Sequence, residues 1–225
     1  MKVIDWGLID YTEALKKQET LLEEIHLQKS LGALIFCSHP AVVTLGRKTQ
    51  KEDVFAWKGP VIEISRGGRA TYHGPSQLVI YPIINLDSAV GFPRKDIGWY
   101  LRTLEKSIVL TLKNFGIEAI GKSLQKKSPE EIPMEETGVW VGAHKIASLG
   151  IGVRKWITFH GAAINLDADP TAFVGMNPCG FKSEVMTNAE QVLGKKIDRD
   201  LFKKQFSIHF ENLFSPSPDQ PQEKL

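Results

Sequence analysis

The chain has only two cysteines, Cys37 and Cys179, too few for a disulfide framework or a thiolate metal cage. It lacks a long hydrophobic run. The longest nearly apolar stretch, Leu78 to Leu86, falls short of the ~20 residues that crossing a bilayer requires. It also lacks a dominant charge, since 28 Lys and Arg against 26 Asp and Glu leave a formal +2. No whole-molecule field therefore draws it to nucleic acid or a membrane surface. Met1 runs at once into Lys2 and Asp5, so the opening residues do not read as a secretory signal. There is no Walker loop and no Gly-x-Gly-x-x-Gly. His26, His39, His73, His144, His160 and His209 show no His-x-x-x-His pairing, so neither a metal nor another cofactor is expected.

What is present fits a soluble cytoplasmic enzyme. The 225 residues permit one large α/β domain, and 42% hydrophobic residues with 19 glycines are a normal globular share. Tyr11 to Ser30 carries Leu15, Leu22 and Ile25 at helical spacing, and Leu31-Gly32 is expected to stop it. Ala33–Cys37, Ala41–Leu45, Val61–Ile64 and Gln77–Leu86 read as strands. Leu101, Leu104, Ile108, Leu112 and Phe115 form one face of a long helix closed by Gly116. Gly138–Gly142, Lys145–Gly152 and Ile157–Leu166 read as consecutive strands with tight turns, and Ser183–Leu193 and Arg199–Phe214 as amphipathic helices. The expected class is α/β (α+β), a mixed sheet flanked by helices. Residues 1–214 would form a single catalytic domain, 122–136 a flexible surface loop and 215–225 a mobile tail.

Three places carry unusual residues. Arg66-Gly-Gly-Arg-Ala-Thr-Tyr-His-Gly-Pro75 pairs two glycines, which allow close backbone approach to a ligand, with a guanidinium fork and with His73, which titrates near neutrality. An ordinary turn with surface arginines would look the same. Cys37 ends an apolar strand and suits the usual role of a small buried hydrophobe. Cys179 does not, because it sits in the loop Asn177-Pro-Cys-Gly180, where the Gly180 amide would be open to an oxyanion. A thiol near pKa ~8.5 is only a few per cent thiolate at pH 7, so such a nucleophile needs a neighbouring cation or base. His73, His144, Lys145 and His160 are the candidates, and spacing alone cannot choose among them. Lys145 opens an apolar strand, where a solvated lysine is the default and a partly buried one would be chemically active.

Taken in order, these blocks resemble the lipoyl(octanoyl) transferases, whose catalytic domain is like that of biotin and lipoate protein ligases. The resemblance rests on Leu45-Gly-Arg47, Arg66-Gly-Gly with Thr71-Tyr-His-Gly74 and Gln77-Leu-Val, Gly138-Val-Trp-Val with Lys145-Ile-Ala, Thr158-Phe-His-Gly161 with Asn165, and Pro178-Cys-Gly180. It departs at Ser76 and at Ala162-Ala-Ile164, which bears on the shape of the acyl pocket. By position it implies Cys179 as nucleophile and Lys145 as its activating base. It implies substrate binding by Arg66, Gly67, Gly68, Arg69, Ala70, Thr71, Tyr72 and His73, by Ser148, Leu149 and Gly150, and by Gly161, Ala162 and Ala163. The implied donor is octanoyl-acyl carrier protein. The implied acceptors are lipoyl domains of 2-oxoacid dehydrogenases and the glycine cleavage H protein.

The residues agree with that task. A thioester donor suits a thiolate, and an acceptor lysine near ~10.4 must lose a proton before it attacks. Small residues around Ser148 and Gly161 would leave a groove for an eight-carbon chain, each buried methylene contributing about 0.8 kcal/mol. An acidic carrier would dock on Arg47, Lys48, Arg69, Arg94 and Lys95. Two rivals stand beside this reading: an ATP-dependent lipoate or biotin protein ligase, which needs no cysteine, and a non-catalytic carrier-binding module.

Overall fold

The computed structural model describes residues 1–87, 95–124 and 136–214. Arg94, residues 125–135 of the expected 122–136 loop and the 215–225 tail lie outside them; Lys122–Leu124 is a 3-10 turn with Ser123 buried. Among the described residues ten strands make two sheets. The larger has seven strands in the order β1 (Lys2–Leu8), β2 (Gly32–Ser38), β6 (Gln77–Ile84), β10 (Ile157–Asn165), β9 (His144–Arg154), β8 (Gly138–Val141) and β7 (Ile120–Gly121). Only β1 and β2 run parallel in it. The smaller sheet sets β3 (Val42–Leu45) between β4 (Val61–Glu63) and β5 (Thr71–His73).

Strand alternation builds two cores on opposite faces of the large sheet. Leu34, Phe36, Leu78 and Ile80 face one way, against Leu104, Ile108 and Leu112 of α2 (Ile97–Asn114) and the phenylalanines of α4 (Arg199–Phe214). Phe202, Phe206, Phe210 and Phe214 recur every fourth residue and so form one buried stripe of α4. Ala33, Ile35, Cys37, Val79, Tyr81 and Ile83 face the other way, against Ala14, Leu22 and Ile25 of α1 (Tyr11–Gln28).

Local chemistry sets the boundaries. The Asp10 carboxylate accepts from the amides of Thr12 and Glu13 and starts α1. Lys29 at φ +49° ends it, one turn element earlier than Leu31-Gly32 would have done. Positive φ at both Lys155 and Trp156 gives the two-residue turn that joins β9 to β10 with a twist matching the strands.

Two expectations are corrected. Ser183–Leu193 is not one helix: it is a short 3-10 turn at Ser183–Val185 and a five-residue helix, α3 (Ala189–Leu193). Between them Met186 bridges to Lys145, and the Thr187 amide donates to the Lys145 carbonyl at 3.0 Å. Sheet pairing there wins over helical periodicity. The stretch 66–75 is not all loop either, since Thr71–His73 is a buried strand.

Candidate active site

Strand β9 positions the site. Gly138 pairs with Ser148 and Val139 with Ala147, but Trp140 pairs with Lys145, so Ile146 is an extra residue. This bulge re-aims Lys145. Its side chain runs over Gly138, where a Cβ would sit 2.6 Å from the lysine Cε. The ammonium lies 5.6 Å from the ring centroids of both Trp140 and Phe181. Lys145 is 1% exposed, so the solvated surface lysine is excluded.

Helix α2 brings a carboxylate to the same place. Glu105 is buried and accepts from the Gly138 amide at 2.8 Å, the Ser123 amide at 2.9 Å and the Ser123 hydroxyl. Burial raises its pKa, while these hydrogen bonds and the Lys145 charge pull the other way. Nothing in the sequence flags Glu105, because on a helix it resembles any surface glutamate.

Cys179 lies in a 3-10 turn, Pro178–Gly180, with φ +56° and ψ 22°, a left-handed conformation unusual for a residue with a Cβ. The turn is tied down on three sides. The Cys179 amide donates to the Ala70 carbonyl at 2.8 Å, the Asn177 amide to Asp53 O at 2.8 Å, and Asn177 Nδ2 to Glu52 O at 2.9 Å. Arg69 lies across Gly180 and is held by the buried Asp53 through Nε at 3.0 Å and through Nη2. The Sγ of Cys179 is thereby set 3.8 Å from Ser148 Oγ, at the strand position that pairs with Gly138. The Gly180 amide is not open as expected: it closes the turn on Asn177 O at 3.1 Å.

A small hollow open to solvent adjoins the sulfur. It brings together Arg66, Thr71, His73, Ser148, Leu149, Gly150, Gly161, Ala162, Ala163 and Cys179 from the expected set, with His160. Tyr11, Val79 and Tyr81 join them; the sequence reading missed these three, since each looks like plain core. Ala70 and Tyr72 turn away into a small cluster with Phe173 and Met176. The glycines serve the protein's own packing: a Cβ on Gly150 would meet Arg66 Cδ at 2.9 Å, and one on Gly161 would meet Ile80 O at 2.0 Å. Arg69, expected as a docking cation, is instead paired with Asp53, and Lys95 pairs with Asp87 at 3.3 Å. Arg47 and Lys48 are exposed on the rim, their amides bonded to the Arg66 and Gly68 carbonyls.

The two histidines of the hollow, His73 and His160, do not titrate near neutrality. Burial, then the charges of His39, Arg66 and His160, push His73 well below its ordinary value. Burial and the Arg66 charge push His160 down to about 3. Both ring nitrogens of His160 lack a partner, and its amide, at φ +59°, donates to Gln18 Oε1 at 2.8 Å. His144 is exposed at a turn. Of the four candidates for activating Cys179, His73 and His160 line the hollow with it, while Lys145 is buried on β9 against Trp140 and Phe181. Cys37 is buried and its thiol is pushed up by desolvation, as suits an inert core residue.

Residues 10–211 match the family model described as the lipoyl protein ligase A/B catalytic domain. An octanoyltransferase of Bdellovibrio bacteriovorus is 56% identical over 204 residues, covering 89% of this chain and 93% of its own length. One from Geotalea uraniireducens is 35% identical over 229 residues, covering 100% and 99%. Among solved structures, a bipartite lipoate protein ligase from Thermoplasma acidophilum superposes with a TM-score of 0.64 at 18% identity, over 94% of this chain and 82% of its own. A biotin protein ligase from Aquifex aeolicus in complex with biotin and ATP gives 0.56 at 16% identity, over 96% and 73%.

Proposed function

The chain belongs to the lipoyl protein ligase A/B catalytic-domain family and groups within it with the octanoyltransferases of lipoate biosynthesis, and from that premise we propose that it transfers octanoyl through a thioester on Cys179, with Lys145 as the base. What supports this reading is the strained Cys179 turn, which aims its sulfur at Ser148, on the same strand as the buried, bulge-directed Lys145. Strain of this kind persists where the surroundings over-determine it, which is typical of reacting groups.

In the first half-reaction Lys145 takes the thiol proton, and the Cys179 thiolate attacks the thioester carbonyl of octanoyl-acyl carrier protein. The new C–S bond forms, the carrier's C–S bond breaks, and the carrier sulfur leaves with the proton from Lys145. In the second half-reaction the amine of a lipoyl-domain lysine attacks the same carbonyl. A C–N bond forms, the bond to Cys179 breaks, and the amine proton passes by way of Lys145 to the cysteine. Lysine is suited to both halves because each moves one proton to or from the reacting atoms. Val79, Leu149, Ala162 and Ala163 offer the apolar lining for the chain. The reaction needs no ATP. Residues 1–214 act as one cytoplasmic catalytic unit, with lipoyl domains of 2-oxoacid dehydrogenases and the glycine cleavage H protein as acceptors. The carrier docks by charge on Arg47 and Lys48, so its affinity falls as salt screens exposed charges beyond about 8 Å.

Intact mass after mixing with octanoyl-acyl carrier protein, without ATP, tests the reading. One octanoyl group mapped to Cys179 is the expected result. An unmodified protein that instead catalyses ATP–pyrophosphate exchange would be a ligase.

A further inference from the structure

Two arginines stand three residues apart in the glycine loop, and the fold treats them differently. Arg69 has Asp53 and Glu52 as counter-charges. Arg66, only 6% exposed, has none: among the described residues it takes part in no ion pair. Its guanidinium donates to Gly67 O and Arg69 O at 2.9 Å, to Thr44 O at 3.2 Å and to Thr44 Oγ1 at 2.9 Å. All four acceptors are neutral. A buried cation without an anion is a costly arrangement, retained where an anion is to arrive.

The identity of that anion follows from what lines the hollow. The neighbours able to become negative beside Arg66 are Cys179, Tyr11 and Tyr81. Burial raises both tyrosines, Tyr81 well above its ordinary value, so both phenols stay protonated at any working pH. His73 and His160 can only be neutral or positive. The sulfur of Cys179 is the one group left. Strand β9 sets the two together: Ser148 touches the sulfur, and Gly150, two residues on, lacks a Cβ where the Arg66 stem crosses. Successive same-face positions on a strand are about 6.6–6.8 Å apart.

We propose that Arg66 is a positioning residue for the transfer reaction, the fixed counter-charge that holds the Cys179 sulfur as an anion in the hollow. The proposal rests on Cys179 being the nucleophile. It divides the labour between two cations: Lys145 moves the proton, and Arg66, which never releases one, stabilises the charge left behind. The titratable and charged groups that line the hollow with the sulfur or adjoin its turn are Arg66, Arg69 with Asp53, His73 on β5, His160 on β10, Tyr11 on α1, Tyr81 on β6 and the exposed Lys182. Of these, Arg66 is the buried cation with neutral partners alone.

The test reads the sulfur directly. Alkylation of Cys179 by iodoacetamide, followed by intact mass and peptide mapping, is measured from pH 5 to pH 10 for wild type, Arg66→Gln and Arg66→Lys. Arg66→Gln is expected to move the pH–rate curve alkaline and to slow alkylation about tenfold or more at pH 7, whereas Arg66→Lys keeps the wild-type curve. A folded Arg66→Gln with the wild-type curve overturns the proposal. Should Arg66→Gln not fold, Arg66→Lys decides alone, because a tenfold loss with the charge still present makes the guanidinium fork, not its charge, the working feature. A wrong nucleophile shows up elsewhere, as octanoyl transfer retained by Cys179→Ala, so the two failures are told apart.

Discussion

The two faces of the seven-stranded sheet handle buried polar atoms in opposite ways. Under α2 and α4 the one buried carboxylate, Glu105, has three hydrogen bonds, and the phenylalanines of α4 stack at 5.6 Å and 4.2 Å between successive rings. Under α1 lie Gln18 Nε2 and both nitrogens of His160, buried with no hydrogen-bond partner among the described residues. The left-handed His160 lies on that side too, and the left-handed Cys179 lines the same hollow. One face is therefore optimised as a core, and the other gives up stability around the hollow. Unsatisfied polar atoms and strained φ angles gathered at a cleft are what a reacting site looks like before its ligand arrives.

The sharpest way to break that comparison is to remove the sulfur. Cys179→Ala should leave both cores intact and eliminate the acyl-enzyme outright, while Cys37→Ala, on the same α1 face but satisfied by packing, should transfer at the wild-type rate. Intact mass with the octanoyl carrier checks both, and the reverse pattern would reassign the nucleophile. Next in size, Lys145→Ala should slow acylation about 10²–10⁴-fold at pH 7, the usual range for general acid–base groups. The rate should recover partly as pH rises, because bulk hydroxide then supplies the thiolate. A wild-type pH profile in this variant would make Lys145 a bystander. On the opposite face, Phe206→Ala should cost about 3–5 kcal/mol of stability by urea unfolding, with normal turnover in the folded fraction.

This asymmetry decides what was legible. The core face was readable because period speaks for its helices: Leu104, Ile108 and Leu112 along α2, and Phe202 to Phe214 every fourth residue along α4. Strand β1 escaped because it is an edge strand with Val3 and Leu8 exposed, so no buried alternation marks it. At the site, residue types were informative and environments were not. Cys179 stood out by sitting in a Pro-Cys-Gly turn, but the burial of Lys145 depends on a one-residue bulge that no local pattern announces. Asp53 and Glu105 act from distant segments, and His73 looked like a neutral-range titrator until β5 buried it. The Gly180 amide shows the same limit, since only the closed turn reveals that it is used.

The smallest effect expected concerns pH and the strained histidine. His160 has a folded value near 3 against about 6.5 unfolded, so between those limits the unfolded chain binds more protons than the native one. Stability is thus fully present above pH 6.5 and is lost as pH falls, by at most about 1.4 kcal/mol per unit for this group. His73 shifts the same way and adds to the slope. Replacing His160 with Asn keeps a residue that tolerates φ +59° while removing the titration. The difference in unfolding free energy between pH 7 and pH 5 should then shrink by up to about 2 kcal/mol, measured by urea titration at both values. If His160→Asn keeps the wild-type difference, the ring takes up its proton over the same pH range folded and unfolded. Burial would then carry no penalty for its charge, and the contrast between the two faces would lose its strongest member.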